Sequence, residues 1–100
     1  MSKEKTLPTV SILIPTKNRA ETLALALESL VTQEFRDFEV VVVDGHSSDN
    51  TVEVAKRFSS KFPVSIFQKP GGLIPQMNLA YKKAKGQIVV RTDDDVIFTD

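Results

Sequence analysis

Phe38 to Val43 reads F-E-V-V-V-V, with only Glu39 interrupting the apolar run. A strand with one face in water alternates polar and apolar residues. A strand that is apolar at nearly every position must be covered on both faces, as in a parallel sheet. The run is far shorter than the roughly 20 apolar residues that a membrane-crossing helix needs. It therefore predicts an interior strand with helices above and below, and so an α/β chain in which strands and helices alternate.

The rest of the sequence supplies that alternation. Val10 to Ile14 (V-S-I-L-I) is a short β-branched run closed by Pro15, a first buried strand. Asn18 followed three residues later by Glu21 resembles a capping box. Behind it Leu23, Leu27, Leu30 and Val31 recur at helical spacing, which predicts a helix from about Arg19 to Thr32. Val52, Ala55 and Phe58 predict a second helix over Thr51–Phe58, and Pro63–Phe67 is a weaker third strand. Gly71-Gly72 breaks the chain before a third helix, Leu73–Lys85, with Pro75 tolerated in its first turn. Lys82, Lys83 and Lys85 suit the negative end of that helix, and Gly86 is the expected residue just past it. Gln87–Thr92 is the fourth strand. The order is βαβαβαβ, with crossovers expected to be right-handed. Met1–Leu7 is polar and is expected to be a mobile leader, with residues 8–100 forming one subdomain.

Composition narrows the partners. Lys plus Arg and Asp plus Glu are both 13, so the formal charge is zero, which argues against a nucleic-acid partner. There is no cysteine, so disulfides and thiolate metal sites are excluded. No apolar signal core or membrane-length run is present, and a cytoplasmic location is expected, with a peripheral membrane association open for a longer protein.

In an open parallel sheet, ligands bind beyond the carboxyl ends of the strands. Three polar clusters fall at such ends: Pro15-Thr16-Lys17-Asn18, Asp44 to Asp49, and Asp93-Asp94-Asp95. Parallel strands bring all three to one rim. Three adjacent carboxylates repel one another unless something positive or hydrogen-bonding meets them. In an extended turn Asp93 and Asp95 face the same way, and hard oxygen donors of this kind suit Mg²⁺ or Mn²⁺ together with substrate phosphates. The plain alternative is a solvated acidic turn. Asp44 is placed to accept from a base or ribose hydroxyl, or equally to cap a turn. Asp49 and Ser48 read as caps of the second helix and Asn18 as the cap of the first. His46 reads as incidental. Arg91 lies beside the acidic turn, with either those carboxylates or a phosphate as its partner.

These residues resemble the family 2 glycosyltransferases, which have the GT-A fold. Val10 to Asn18 is similar to that family's opening strand and Pro-x-x-Asn turn. Val43 to Thr51 is similar to its Asp-Asp-Gly-Ser-Thr-Asp segment, Gly72 to Asn78 and Ala84-Lys85-Gly86 to its third helix, and Asp93-Asp94-Asp95 to its Asp-x-Asp. The resemblance implies a Rossmann-like half of a GT-A fold, with strand order 3-2-1-4. It implies a nucleotide-diphosphate sugar donor, with Pro15, Thr16, Asn18 and Asp44 around base and ribose and Asp93 and Asp94 on the ribose or sugar side. It implies Mn²⁺ or Mg²⁺ held by Asp95 and Asp93, and inverting transfer to an acceptor hydroxyl of a saccharide, lipid carrier or other molecule.

Three departures stand out. The family segment's second Asp is Gly45 here, with His46 in place of its Gly; the Arg that commonly precedes the helix-three Asn is Met77; and the chain reaches only Asp100. No catalytic residue is therefore assigned within it: the general base is expected in an acceptor-binding half outside these residues, and the chain alone is expected to be inactive. Strand four is expected to be an uncovered edge, prone to pairing with a second copy. The competing reading is a non-catalytic nucleotide-binding or assembly fragment. A nucleotidyltransferase would want a Gly-rich loop after strand one, and a haloacid-dehalogenase-type phosphatase would carry its Asp-x-Asp there.

Overall fold

A computed structural model describes residues 7–96 and residue 98. All but Leu7 of the expected leader lies outside the described residues. The elements are β1 (Val10–Thr16), α1 (Ala20–Val31), β2 (Phe38–Asp44), α2 (Thr51–Arg57), β3 (Val64–Gln68), α3 (Leu73–Lys83) and β4 (Ile88–Arg91), with a 3₁₀ turn, Phe58–Ser60, extending α2. The four strands are parallel and ordered β3-β2-β1-β4, as expected.

The valine run explains the layering. β2 lies between β1 and β3 and is buried at every position. Successive side chains of a strand point to opposite faces. Val40 and Val42 join Ile12 and Ile14 of β1 under Leu23, Leu27 and Leu30 of α1. Val41 and Val43 join Leu13 under Met77 and Ala80 of α3. The sheet is thus covered on both faces, α1 and α2 on one and α3 on the other.

The expected boundaries move by a residue or two, with one instructive exception. α3 ends at Lys83, and Ala84 is extended (φ −67°, ψ 136°), so Gly86 is not the residue that closes the helix. The chain is drawn instead toward the amino-terminal edge of the sheet. There the Lys85 N–H donates to Glu39 Oε2 at 2.7 Å and the Gly86 N–H donates to Ser11 Oγ at 2.8 Å. Ser11 Oγ in turn donates to Glu39 Oε2 at 2.5 Å, which satisfies a carboxylate only 5% exposed. A Cβ on Gly86 would stand 2.7–2.8 Å from the Ser11 nitrogen and Val10 carbon of the β1 backbone, so the glycine serves close approach.

Among the described residues β4 pairs only with β1, and it is exposed along its whole length, with Ile88 55% exposed. It is the uncovered edge that the sequence led us to expect. Gly86→Ala is expected to destabilise the fold by about 1–3 kcal/mol, because rigid backbone and not a movable side chain must yield. Chemical denaturation of the two proteins measures this; equal midpoints would show that the close approach relaxes freely.

Candidate functional site at the carboxyl rim of the sheet

Thr16 ends β1 and stands in register with Asp44, which ends β2. The Gly45 N–H donates to the Thr16 carbonyl at 2.8 Å, binding the two strand tips together. The Thr92 N–H donates to the Leu13 carbonyl at 3.0 Å, carrying the pairing of β1 and β4 one residue past the strand. The Thr16 hydroxyl, itself buried, donates to Asp94 Oδ2 at 2.9 Å. Arg19, where the β1 tip turns into α1, places its Nε 2.9 Å from Asp94 Oδ1 and a terminal nitrogen 3.8 Å from Asp95 Oδ2. The acidic turn and the Asp44 turn therefore share one rim, joined through Thr16.

The three aspartates divide by environment. Asp94 is turned inward, its side chain 10% exposed between a hydroxyl and a guanidinium. That arrangement relieves the repulsion among three adjacent carboxylates. Asp93 and Asp95 remain exposed, Asp95 with 58% of its side chain accessible. The partner of the turn is Arg19 rather than Arg91, which ends β4 at the surface. Among the described residues, no three His, Cys, Asp or Glu side chains converge as a metal cage. Exposed carboxylates, such as those of Asp93 and Asp95, are a donor type with which Mg²⁺ or Mn²⁺ is held alongside substrate phosphates.

The second loop is stitched to the first. Asn18 adopts the left-handed region (φ 52°), and its side chain does not cap α1. Its Oδ1 accepts the Ser48 N–H at 2.7 Å and the Asp49 N–H at 3.3 Å, while its own N–H donates to Ser47 Oγ at 2.7 Å. The capping pattern read from Asn18 and Glu21 is thus replaced by a tie between loops. The Arg19 N–H at the start of α1 donates to Thr51 Oγ1 at 3.2 Å. Asp49 accepts from the Thr51 N–H at 3.0 Å and from the Thr51 hydroxyl; it stands one residue before Asn50, the N-cap of α2, which has no side-chain cap bond, so the expected cap is replaced by a turn bond. The Thr51 hydroxyl holds the Asp49 carboxyl below its ordinary 3.8, outweighing desolvation, and the backbone N–H groups of Thr51 and Ala20 add to the effect.

Asp44 sits at the rim but faces inward. It has no exposed surface and accepts from the Ser47 N–H at 2.8 Å, the Ser47 hydroxyl and Gln68 Nε2 at 3.2 Å. In this conformation its carboxylate shapes the turn. His46 is exposed with a positive φ of 66°, in keeping with a turn residue.

A cleft of about 350 Å³ opens between the β1 tip, the acidic turn and the start of α3. Pro15, Thr16, Lys17, Arg19, Asp93 and Asp94 line it, facing Gly72, Leu73 and Gln76. Gly71 and Gly72 both have positive φ (105° and 92°), a backbone path that glycine takes without strain. Of these residues, the sequence assigns no ligand role to Arg19 or Gln76. Arg19 was legible in principle, since a parallel sheet sets β1 beside β4. Nothing in the sequence pattern marks Gln76. A larger cavity of about 550 Å³ lies at the opposite, amino-terminal edge, beside Arg36, Asp37 and Glu39. There Arg36 donates to the carbonyls of Leu30, Val31 and Lys61, holding the end of α1 to the 3₁₀ turn region.

Comparison with known proteins accords with this geometry. Residues 11–100 match the Glycosyl transferase family 2 profile, and the chain belongs to that family. Its relatives include the poly(ribitol-phosphate) beta-N-acetylglucosaminyltransferase TarS of Staphylococcus aureus, 34% identical over 90 residues. That match takes in 85% of this chain and 16% of TarS. The crystal structure of a TarS fragment in complex with UDP-GlcNAc superposes with a TM-score of 0.80 at 33% identity, over 87% of this chain and 26% of that one. The mannosyltransferase PcManGT of Pyrobaculum calidifontis, in complex with GDP-Man and Mn²⁺, gives a TM-score of 0.84 at 28% identity, over 95% and 30% of the two chains. The fold is the Rossmann-like half of a GT-A glycosyltransferase, and the chain spans less than a third of each of these relatives.

The link between the two turns is open to test. Thr16→Val keeps the side chain's shape and removes the donor to a buried carboxylate. A loss of about 1–3 kcal/mol in unfolding free energy is expected. An unchanged stability would show that Arg19 alone holds Asp94.

Proposed function

We propose that the chain is the donor-binding part of a metal-assisted glycosyltransferase that moves a sugar from a nucleoside-diphosphate sugar to an acceptor hydroxyl, with inversion. The observation that carries this is the meeting of the β1 tip and the acidic turn after β4 at one cleft, with the exposed carboxylate of Asp93 in its lining and the β2 tip tied alongside through the Gly45 N–H and the Thr16 carbonyl. Two structural neighbours, TarS with UDP-GlcNAc and PcManGT with GDP-Man and Mn²⁺, support the donor class.

In this reading the Pro15–Asn18 turn takes the base and ribose. Asp44 acts beneath it by fixing the following turn through Ser47, and Thr16 and Asn18 hold the two loops in register. Asp93 lies on the ribose or sugar side, and Asp94 sets the position of the acidic turn. Asp95 and Asp93 would hold Mn²⁺ or Mg²⁺. A bound ion of this kind supplies Lewis acidity to the diphosphate as negative charge builds on it. In the transfer, the acceptor oxygen bonds to the anomeric carbon, the bond from that carbon to the phosphate oxygen breaks, and the nucleoside diphosphate departs. The acceptor's proton goes to a base that we assign outside these residues. The acceptor is a saccharide, a lipid carrier or another hydroxyl compound. We place the protein in the cytoplasm, peripheral to a membrane where a longer chain provides the contact. Among the described residues, no helix is long and apolar enough to cross a membrane.

Titration of nucleoside diphosphates with and without Mn²⁺ tests the site. Binding of at least one is expected to strengthen with the metal, and Asp95→Asn is expected to weaken that metal-dependent part about tenfold or more. Metal-independent binding, or an Asp95→Asn variant with unaltered metal response, would refute the assignment. Sugar transfer by residues 1–100 alone would exclude the competing view of a non-catalytic nucleotide-binding or assembly fragment. The uncovered β4 edge is further expected to pair copies of the chain. Sedimentation should show concentration-dependent association that Val89→Lys reduces; a monomer at all concentrations would count against it.

A further inference from the structure

We propose that Gln76 is the residue that selects the nucleobase of the donor, an inference that rests on the donor-binding reading above. Its starting point is Gly45. A Cβ built on Gly45 would stand only 2.4 Å from Gln76 Nε2. The amide of Gln76, reaching across from α3, therefore occupies the volume that any side chain at position 45 would claim. The segment that carries an acidic side chain at this position in the resembling family carries none here. A neutral carboxamide from another element has taken the space.

The surroundings of Gln76 favour a recognition role over a purely structural one. The residue is 7% exposed, yet it lines the cleft with Thr16, Arg19 and Asp94. Its side-chain donor reaches the Lys69 carbonyl at 3.4 Å, the long limit of a hydrogen bond. Three other polar side chains of the rim have shorter bonds: Asn18 Oδ1 at 2.7 Å, Asp44 at 2.8 Å, Asp94 at 2.9 Å. Gln76 is thus a buried amide at the cleft whose internal tie is weak.

The chemistry follows. A carboxylate only accepts hydrogen bonds, whereas a carboxamide offers donors and an acceptor side by side. That pattern matches the edge of a nucleobase, where donors and acceptors also alternate. In a nearly dry position, the wrong base leaves a buried polar group unpaired. The resulting penalty is what lets a polar site discriminate strongly. Ribose and diphosphate are common to all nucleoside diphosphates, so a base-reading residue must alter the ratio of affinities and not their general level.

The experiment is titration of UDP, GDP, ADP and CDP in Mn²⁺ against the chain and against Gln76→Glu, Gln76→Leu and Gly45→Ala. The unaltered chain is expected to prefer one base. Both Gln76 variants should cut that preference about tenfold. Gly45→Ala should cut it too, with the glutamine still present, because the added methyl displaces the amide. Unfolding midpoints identify any variant that fails to fold. Gln76→Glu, close in shape, and Gly45→Ala, which asks only a flexible side-chain end to move, keep the test alive if Gln76→Leu does not fold. A uniform weakening across all four nucleotides would overturn the inference and leave the donor-binding reading intact. So would an unchanged preference, or equal binding of all four by the unaltered chain. Failure of the unaltered chain to bind any of them would sink the donor-binding reading, and this inference with it.

Discussion

Val40 to Val43 lie between β1 and β3 with a helical layer against each face. Burial on both sides is achieved here by parallel neighbouring strands whose connections cross over the sheet as helices. Each such connection leaves a strand at its carboxyl end, so every turn that follows a strand is delivered to the same rim. The cleft at that rim is a consequence of that packing. Nothing in the cleft need be held by a separate scaffold, because the core that makes the sheet dry also aligns its tips.

The rim is acidic, and its polar groups sort into two kinds. Asp44, Asp94 and Asp49 accept hydrogen bonds from within the chain, through Ser47, Gln68, Thr16 and Thr51, and Asp94 has the Arg19 guanidinium as well. They give the loops their shape. Asp93 and Asp95 stay exposed. Such a division has a physical logic. A cluster of carboxylates left wholly to solvent would repel, while one wholly satisfied inside the protein would have nothing to offer a ligand. Neutralising the middle member through Arg19 and Thr16 fixes the turn and leaves its flanking members at the surface.

The amino-terminal edge shows the same economy turned to a structural end. Glu39 is the one polar residue within the β2 run, and Ser11 and the Lys85 N–H satisfy it. Gly86 is bare because the β1 backbone passes directly against it. β4 follows immediately and is covered on neither face, so its Ile88, Val89 and Val90 remain accessible. The sheet is therefore dry at its centre and open at one margin.

The element order was legible because burial imposes periodicity, and apolar period and strand-length runs survive in the sequence whatever the tertiary details. The strand-end clusters were legible for a related reason: parallel topology fixes which ends meet. Helix ends were less so. Asn18 carries a capping pattern, yet a turn in the left-handed region sends its side chain to Ser48 and Asp49 in the other loop. Gly86 looks like a helix terminator and serves close packing. Which of three adjacent aspartates turns inward depended on the reach of Arg19, and the meeting of Gln76 with Gly45 depended on where α3 sits over the sheet. The sequence by itself determined the layers and the rim, since hydrophobic burial acts along the chain with a fixed period. Only the tertiary structure decided which polar groups are engaged and which stay open, since hydrogen bonds and ion pairs depend on distances between residues remote in sequence.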